Sequence, residues 1–318
     1  MALFNASVII KELRNAKKLS QEQLAEGICS RSTIAMIELG KRKPDWHTFR
    51  LIMDKLGVNS SQFGNFGDIA SEDEIYIFNH YTNIHKLVNT GKWNELKIEI
   101  DKMEQDEKFS SGYGLHTLRL ACRALYTRGP NPNFDIAAKY MMDELKENRP
   151  NFDIDEIHKY VLTTNEMALL SNFAFICIKQ GEIEKAIKLR HQLIAIFEQN
   201  YSNMSIPAKI NYCMEMGNLA AALYSVKRYN ECAEIADKCM RVTAGDFTVI
   251  YLYMHGLYFK ACALLSLGQK EEGEMLFKRY LLYTYSVCPN LFPEYSHESS
   301  KRYFEEQFGY KLELSLPW

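Results

Sequence analysis

The sequence predicts an all-α protein with a small helical head at the N-terminus and a longer helical body behind it. Only 8 of the 318 residues are proline, which leaves room for long uninterrupted helices. Beyond the head, runs of β-branched residues are few and turn signals recur at short intervals. A hydrophobic fraction of 47% with 25% charged residues is typical of a globular chain. We expect the head in residues 1–66 and the body in residues 72–318, joined by a linker rich in Gly, Asn and Ser.

The charge of the chain is divided between these two parts. Residues 1–58 hold ten Lys and Arg against six Asp and Glu, a net charge of +4, and the remainder carries −6. A basic head on an acidic body is typical of a nucleic-acid module fused to another domain. The overall net charge of −2 excludes a polycation that coats nucleic acid along its whole length.

Nothing in the sequence predicts export or membrane insertion. No stretch approaches the roughly 20 apolar residues that span a bilayer. The start, MALFNASVIIKELR, lacks the basic region, apolar core and cleavage site of a signal peptide. The eight cysteines are scattered without a CxxC pair, so we expect reduced, mostly buried thiols and no metal site. These features predict a cytoplasmic protein with no membrane partner.

The head is predicted to contain four short helices. Ser20 lies three residues before Gln23, the spacing of a capping box, and therefore begins the second helix, which Gly27 ends. Ser30 is expected to cap the third helix. The expected ranges are residues 7–18, 20–26, 31–38 and 46–56.

The second and third of these helices have the arrangement of a helix-turn-helix. The second helix of such a pair enters a major groove about 12 Å wide, so its exposed face needs small or hydrogen-bonding side chains. Arg31, Ser32, Thr33 and Ala35 meet that need. Gln21 suits a phosphate, and the basic turn beyond suits the DNA backbone. The predicted DNA-binding residues are Gln21, Arg31, Ser32, Thr33, Ala35, Arg42 and Lys43.

The stretch LRNAKKLSQEQLAEGICSRSTIAMIELGKRKPDWHTFRLIMDKLGV resembles the lambda-repressor-type helix-turn-helix of the XRE family. The matching segments are LSQEQLA, S-R-S-T-I, I-E-x-G-K-R and the closing L-G-V. The sequence departs from the family at Ile28 and Cys29, where Gly-Val is frequent. The alternative is a small helical bundle that merely has a basic face. The resemblance implies a double-stranded DNA operator as partner, contacted through Gln21, Arg31, Ser32, Ala35 and Arg42.

A repeat is visible in the body. Five turns start at residues 91, 132, 181, 227 and 268, which are 41 to 49 residues apart, and four of them carry a small residue five places on. Seven places before the last three turns stand Ala174, Ala220 and Ala261. Small residues on both arms let the helices of a hairpin pack closely, and stacked hairpins bury faces that one hairpin cannot. The pattern resembles tetratricopeptide repeats, which implies a right-handed solenoid of about five hairpins; an irregular all-α domain is the alternative.

The first helix of each hairpin lines the concave groove of such a solenoid. Asn172 and Asn218 both lie nine places before a turn, and Arg123 takes the equivalent place in the second repeat. An Asn side chain donates and accepts, which suits a peptide backbone, whereas a satisfied bond between helices is the alternative. Aromatic side chains on the same face form apolar walls or pack in the core, and Lys179 or Arg123 suits a ligand carboxylate. The predicted peptide-binding residues are Asn172, Asn218, Arg123, Phe175, Lys179, Tyr224 and Tyr258.

Head and body together resemble the RRNPP group, the peptide-sensing regulators of Gram-positive bacteria, with the Rgg-like and PlcR-like members nearest in layout. The resemblance rests on the XRE-type head, the helical repeats, the total length and the two groove asparagines. It implies a cytoplasmic homodimer that regulates transcription in quorum sensing, controlled by a short secreted peptide that re-enters the cell and binds the groove.

No motif in the sequence indicates catalysis. HExxH is absent, and the nearest match, HESSK at residues 297–301, lacks the second His. GxGxxG, GxxxxGK[ST] and GxSxG are also absent, so we expect neither an enzyme nor a cofactor. Two other functions remain open: a helical-repeat scaffold or inhibitor that the head localises, and a repressor that senses a small molecule in a closed pocket.

Overall fold

The computed structural model describes residues 6–58, 71–147, 149–199, 206–246, 249, 252–287 and 297–312. All of the regular structure in these ranges is helical, as the sequence predicts. The described helices include none long and apolar enough to cross a bilayer. Two compact units divide the chain after Glu182, the first reaching from the head through that residue and the second starting at Ile183.

The head consists of four helices around a small apolar core. They are α1 (Ala6–Ala16), α2 (Gln21–Ala25), α3 (Arg31–Glu38) and α4 (Trp46–Lys55). The predicted capping box is confirmed, since the Ser20 side chain accepts from the Gln23 backbone N–H while the Gln23 side chain accepts from that of Ser20. Ser30 caps α3 as predicted, and Gly27 lies in the turn after α2 with a φ of 76° that favours glycine. The buried core comprises Ile10, Leu24, Ala25, Ile34, Ile37, Phe49, Ile52, Met53 and Leu56.

The first compact unit continues with five helices of the body. These are α5 (Glu72–Asn89), α6 (Trp93–Glu104), α7 (Gly112–Arg128), α8 (Phe134–Lys146) and α9 (Thr164–Lys179). Short 3-10 turns over Glu107–Phe109 and Ile154–Lys159 connect α6 to α7 and α8 to α9. α5, α6 and α7 share one apolar cluster, which includes Ile84, Leu96 and Phe109.

The second compact unit contains the remaining described helices. These are α10 (Ile183–Gln199), α11 (Ile206–Ser225), α12 (Tyr229–Ala244), α13 (Tyr253–Ser266), α14 (Lys270–Val287) and α15 (His297–Phe308). Neighbouring helices pack in chain order from α11 to α15. An apolar cluster around Phe277 and Phe304 joins α13, α14 and α15.

The five predicted turns begin helices where the repeat analysis places them. The helices start at Trp93, Phe134, Ile183, Tyr229 and Lys270, two places after each turn begins. The small residues are buried at helix contacts: Ala174, Ala220 and Ala261 are fully buried, and a Cβ on Gly273 would lie 2.6 Å from Leu265 Cγ. The helical-hairpin repeat is therefore present in each unit, and the right-handed solenoid over all five hairpins stays a prediction.

Candidate functional site: the head and helix α9

Helix α3 presents a polar face to solvent. Arg31 and Ser32 are exposed and Thr33 and Ala35 are half-buried, while Ile34 and Ile37 point into the head core. The Arg31 guanidinium makes no ion pair within the part of the chain that the structure describes. It is therefore available for the bidentate contact with guanine that arginine favours.

Two of the predicted DNA-binding hydroxyls also stabilise the start of α3. Ser30 Oγ lies 2.7 Å from Ser32 Oγ and 2.9 Å from Thr33 Oγ1, and it accepts from the Thr33 backbone N–H at 3.1 Å. These bonds satisfy a donor that the helix itself leaves open. Ser32 and Thr33 are thus already placed by the cap, so a DNA contact there needs little rearrangement.

Gln21 braces the helix-turn-helix from the inside. Its Nε2 donates to Glu38 Oε2 at 2.9 Å, and the Arg14 guanidinium donates to the same carboxylate, with Nε 2.6 Å from Oε1. Burial alone would raise the pKa of Glu38, but the hydrogen bonds from Arg14 and Gln21 lower it below the ordinary value. The brace fixes α1 and α2 to the end of α3, and the phosphate contact of Gln21 stays a prediction.

The basic turn after α3 is open to solvent. Lys41, Arg42 and Lys43 are all exposed there. Cys29, in the turn before α3, is a half-buried thiol whose pKa burial raises to about 11. Its thiol is thus protonated and unreactive at neutral pH.

Three of the predicted peptide-binding residues lie together on α9. Asn172, Phe175 and Lys179 are exposed and follow one another at helical spacing, and we call them the exposed stripe. Lys179 Nζ lies 5.3 Å from the Phe175 ring centroid, and Phe134 meets that ring edge-on at 6.5 Å. Asn172 Nδ2 donates to Ala168 O at 2.8 Å, which leaves its carbonyl oxygen open to solvent. An apolar ring between an amide and a cation is a surface that a peptide can use.

Arg123 lies in a different environment from the one that a groove cation needs. It is only 5% exposed, and its guanidinium pairs with Glu144, which also accepts from His116 Nδ1 at 2.6 Å. Burial opposes ionisation of Glu144, but His116 and Arg123 outweigh it and lower its pKa to about 2. The structure thus gives Arg123 an internal carboxylate as its partner.

The remaining predicted residues lie in the second compact unit. Asn218 is half-buried on α11. Tyr224 Oη is 3.3 Å from Ser266 Oγ, and burial raises the pKa of Tyr224 to about 12. Tyr258 packs against Phe277 and against Tyr280, at centroid distances of 6.0 and 5.1 Å. Both tyrosines therefore pack against the apolar core of the second unit, which was the alternative to a role in peptide binding.

One group of interacting residues is absent from the sequence predictions. Polar side chains fasten the head to the body within the first compact unit, and we call this group the clasp. Asp54 accepts from the Thr164 backbone N–H and from Thr164 Oγ1, both at 2.6 Å. The members of the clasp are Glu26, Asp54, Arg149, Thr164 and Glu166.

The second half of the clasp is a buried ion pair. Arg149 and Glu166 pair through Nη1 and Oε1, and Arg149 Nη2 also donates to Glu26 O at 3.2 Å. Lys55 Nζ donates to the same carbonyl at 2.5 Å, and burial lowers the pKa of Lys55 to about 8. A Cβ on Gly27 would lie 2.6 Å from Glu166 Oε1, so a larger residue would have to displace that side-chain end, and the φ of 76° itself favours glycine.

A crevice of about 590 Å³ borders the clasp between α4 and the first body helices. At its wall the His47 ring stacks on Tyr113 with centroids 5.0 Å apart and lies 5.4 Å from the His116 ring. Burial and the nearby His116 and Arg50 lower the pKa of His47 well below its usual value. His47 is therefore neutral at physiological pH.

Comparison with known families gives the class of the head. Residues 10–63 match the family HTH_3, described as Helix-turn-helix, so the head is a helix-turn-helix domain of the XRE type. Such a domain is a DNA-binding module and not a catalytic one. None of the functionally curated proteins matches the chain by sequence.

Solved structures share the fold over most of the chain. The SHP pheromone receptor Rgg2 of Streptococcus dysgalactiae, in a variant with one cysteine replaced by serine, has a TM-score of 0.50 at 14% identity, covering 95% of this chain and 99% of its own. A Listeria monocytogenes EGD-e protein, itself assigned only by inference as a transcriptional regulator, has a TM-score of 0.50 at 18% identity, covering 95% and 98%. PlcR of Bacillus thuringiensis, crystallised with the peptide PapR7 and DNA, has a TM-score of 0.48 at 17% identity, covering 89% and 95%. The family match thus assigns the head to a helix-turn-helix family, and the solved structures show the shared fold.

Proposed function

We propose that this protein is a transcriptional regulator whose operator binding is controlled by a short signalling peptide bound to the helical repeats. It works in the cytoplasm as a homodimer. Two helix-turn-helix domains related by two-fold symmetry bind the two half-sites of a palindromic operator. The observation that carries the proposal is the exposed polar face of α3, headed by Arg31, on a domain of the helix-turn-helix family.

Two further observations support the peptide part of the proposal. The exposed stripe places an amide, an aromatic ring and a cation along one side of α9. One protein that shares the fold is described as a pheromone receptor. A peptide with an apolar side chain and a free carboxylate would complement the ring and the ammonium group.

The first test is DNA recognition by Arg31. A duplex is selected from a randomised library with the full chain, and its Kd is compared for the native protein and for Arg31→Ala. Loss of a bidentate base contact removes about 1–3 kcal/mol, a loss of roughly 5- to 150-fold in affinity for the selected duplex. Gel-shift or anisotropy titration at fixed salt measures it.

Arg31→Lys is the matched variant, because it keeps the charge but not the planar fork. It should bind unrelated duplexes as the native protein does and lose preference for the selected one. Undiminished sequence preference in both variants would contradict the assignment of α3 as the reading helix. Failure to select any duplex would contradict the regulator itself.

A further inference from the structure

The crevice of about 590 Å³ beside the clasp collects the N-terminal ends of four helices, α4, α5, α7 and α9. The first backbone N–H groups of a helix have no partner within it, and they carry a partial positive charge. The chain itself gives a carboxylate to three of these four ends. Asp45 accepts from a backbone N–H at the start of α4, Glu74 at the start of α5 and Glu166 at the start of α9.

Helix α7 is the exception among the four. Its N-cap residue, Ser111, makes no side-chain bond to the helix, and its first turn holds no acidic residue. The Leu115 N–H donates to Ser111 O at 3.1 Å, but the N–H groups of Gly112, Tyr113 and Gly114 donate to no acceptor among the described residues. Gly114 is buried. Three donors are therefore free at the positive end of a 17-residue helix.

A further unpartnered polar atom borders the same crevice from the head. The His47 ring lies against the first two turns of α7, with its centroid 5.0 Å from that of Tyr113 and 5.4 Å from that of His116. Its Nδ1 is buried and bonds to nothing in the part of the chain that the structure describes. An imidazole that carries its proton on Nδ1 is a donor there. A buried polar atom without a partner costs free energy, so Nδ1 points to an occupant from outside the chain.

The five carboxylates that line the crevice all have other partners. Three of them pair with arginines, namely Glu144, Glu147 and Glu166. The other two, Asp45 and Glu74, accept from the starts of α4 and α5. None of the five bonds to the start of α7 within the described ranges.

Positive charge prevails near the start of α7. Arg50, one turn beyond His47 on α4, and Lys43, exposed at the edge of the crevice, make no ion pair with any described residue. Burial first, and then His116 and Arg50, lower the pKa of His47. Glu144 acts in the opposite direction and does not outweigh them. The field at this ring therefore favours a negative charge.

We propose that the crevice binds the oxyanion of a small molecule, a phosphate or a carboxylate, at the free N–H groups of α7 and at His47 Nδ1. Helix N-termini bind such groups through the same donors and the same partial charge. The crevice is larger than a bare ion and falls within the range of about 300–1,000 Å³ that small-molecule sites occupy. The oxyanion is therefore one end of a ligand whose remainder lies along the stacked rings of His47 and Tyr113.

The site is separate from the predicted peptide surface. No residue of the exposed stripe lines the crevice. The inference therefore goes beyond the proposed function and does not rest on it.

The test titrates the isotope-labelled full chain with sodium phosphate or sodium acetate, with sodium chloride at matched ionic strength as the control. The amide resonances of Gly112, Tyr113 and Gly114 are followed by NMR. We expect saturable shifts with phosphate, acetate or both, and no saturable shift with chloride. The oxyanion with the lower Kd distinguishes a phosphate ester from a carboxylic acid as the source of the group.

Ser111→Asp supplies from the chain the carboxylate that α7 lacks, because aspartate is a preferred N-cap residue. This variant should bind either oxyanion at least about tenfold more weakly, as expected when charge-assisted hydrogen bonds are lost. Without a ligand it should unfold at a higher temperature than the native protein. Asn89→Asp is the matched control, since it adds the same charge at an exposed position at the end of α5. It should keep the native Kd.

His47→Phe tests the contribution of the head. The variant keeps an aromatic ring against Tyr113 and loses Nδ1, and loss of one hydrogen bond to a charged group weakens binding roughly tenfold. The α7 amides should still shift, because the backbone donors remain. Circular dichroism shows whether each variant keeps its helices.

Equal shifts with chloride, or no saturable shift with either oxyanion, would overturn the site on the native protein alone. A native Kd in Ser111→Asp or in His47→Phe would overturn it as well. None of these results bears on α3 as the reading helix, which Arg31→Ala tests separately.

Discussion

The two faces of the head are built from different interactions. The reading face depends on bonds between near neighbours, such as Ser30 with Thr33 three residues on. The clasp face depends on bonds across 110 residues, from Asp54 to Thr164, and across 123 residues, from Arg149 to Glu26. The shape of the reading face is thus a local property of the head, whereas its orientation within the first compact unit is set by the repeat fold.

The largest change in unfolding free energy should come from breaking the buried ion pair between Arg149 and Glu166. Arg149→Ala leaves Glu166 buried without its cation, and removal of one member of a buried pair costs about 3–5 kcal/mol of unfolding free energy. Chemical denaturation followed by circular dichroism measures that free energy. The reading face should keep its structure, since no bond of α3 involves Arg149.

Two companion variants sharpen this result. Arg149→Met with Glu166→Gln removes both charges and should recover part of the loss, because replacing a buried pair by neutral groups is often close to neutral. Arg302→Ala removes one member of an exposed pair, whose atoms are 3.8 Å apart, and should change the unfolding free energy by less than about 1 kcal/mol. Equal effects of Arg149→Ala and Arg302→Ala would contradict a structural role for the clasp.

The second largest effect is the dependence of the unfolding free energy on pH, which we assign to the His47 ring beside the clasp. His47 is faced by Arg50 on its own helix, by Glu74, whose carboxylate accepts from the His47 backbone N–H at 3.3 Å, and by His116 and Glu144. Its Nδ1 is buried and makes no hydrogen bond to any residue in the described ranges. Burial first, then His116 and Arg50, lower the pKa of His47 well below 6.5, and Glu144 opposes this only in part.

Since the unfolded chain takes up a proton on this ring near pH 6.5 and the folded chain does not, stability is full above that pH and falls as the pH decreases. The unfolded-state pKa near 6.5 limits the loss from one such group to at most about 2 kcal/mol at pH 5. His47→Phe keeps the stacking on Tyr113 without a titratable group, so its unfolding free energy should fall less between pH 7.5 and pH 5. Identical pH profiles for the variant and the native protein would contradict the assignment.

Local features of the fold were predictable from the sequence because their causes are local. A serine caps a helix by bonding to the backbone N–H three residues on, and a glycine ends one by adopting a positive φ. Ser20, Ser30 and Gly27 therefore lie where the sequence predicts. The repeat turns follow from the same chemistry, since Gly91 and Gly181 both have φ values, 66° and 83°, that suit glycine.

The candidate site was predictable only where exposure follows from periodicity. The period of a helix assigns a residue to a face but does not say whether that face meets solvent or another helix. Phe175 is exposed and Tyr258 is packed among aromatic rings, although the spacing argument treats them alike. Arg123 finds its carboxylate on α8, 21 residues away, and the clasp joins positions still further apart. Such pairings depend on how helices stack, which no short sequence window contains.

The smallest effect should be a change in peptide affinity at the exposed stripe with no change in operator affinity. Asn172→Ala removes a side-chain carbonyl that is available to a peptide backbone, worth about 1 kcal/mol. It should weaken binding of a heptapeptide, selected from a randomised library on the full chain, roughly fivefold. Asn218→Ala is expected to act in the same direction. Operator affinity without peptide should be unchanged, because Asn172 lies two turns beyond the clasp.

Isothermal titration with the heptapeptide and anisotropy with the duplex measure the two affinities. Asn89→Ala, an exposed asparagine at the end of α5, is the control. If Asn172→Ala and Asn89→Ala bind the heptapeptide equally well, the exposed stripe is not the peptide site.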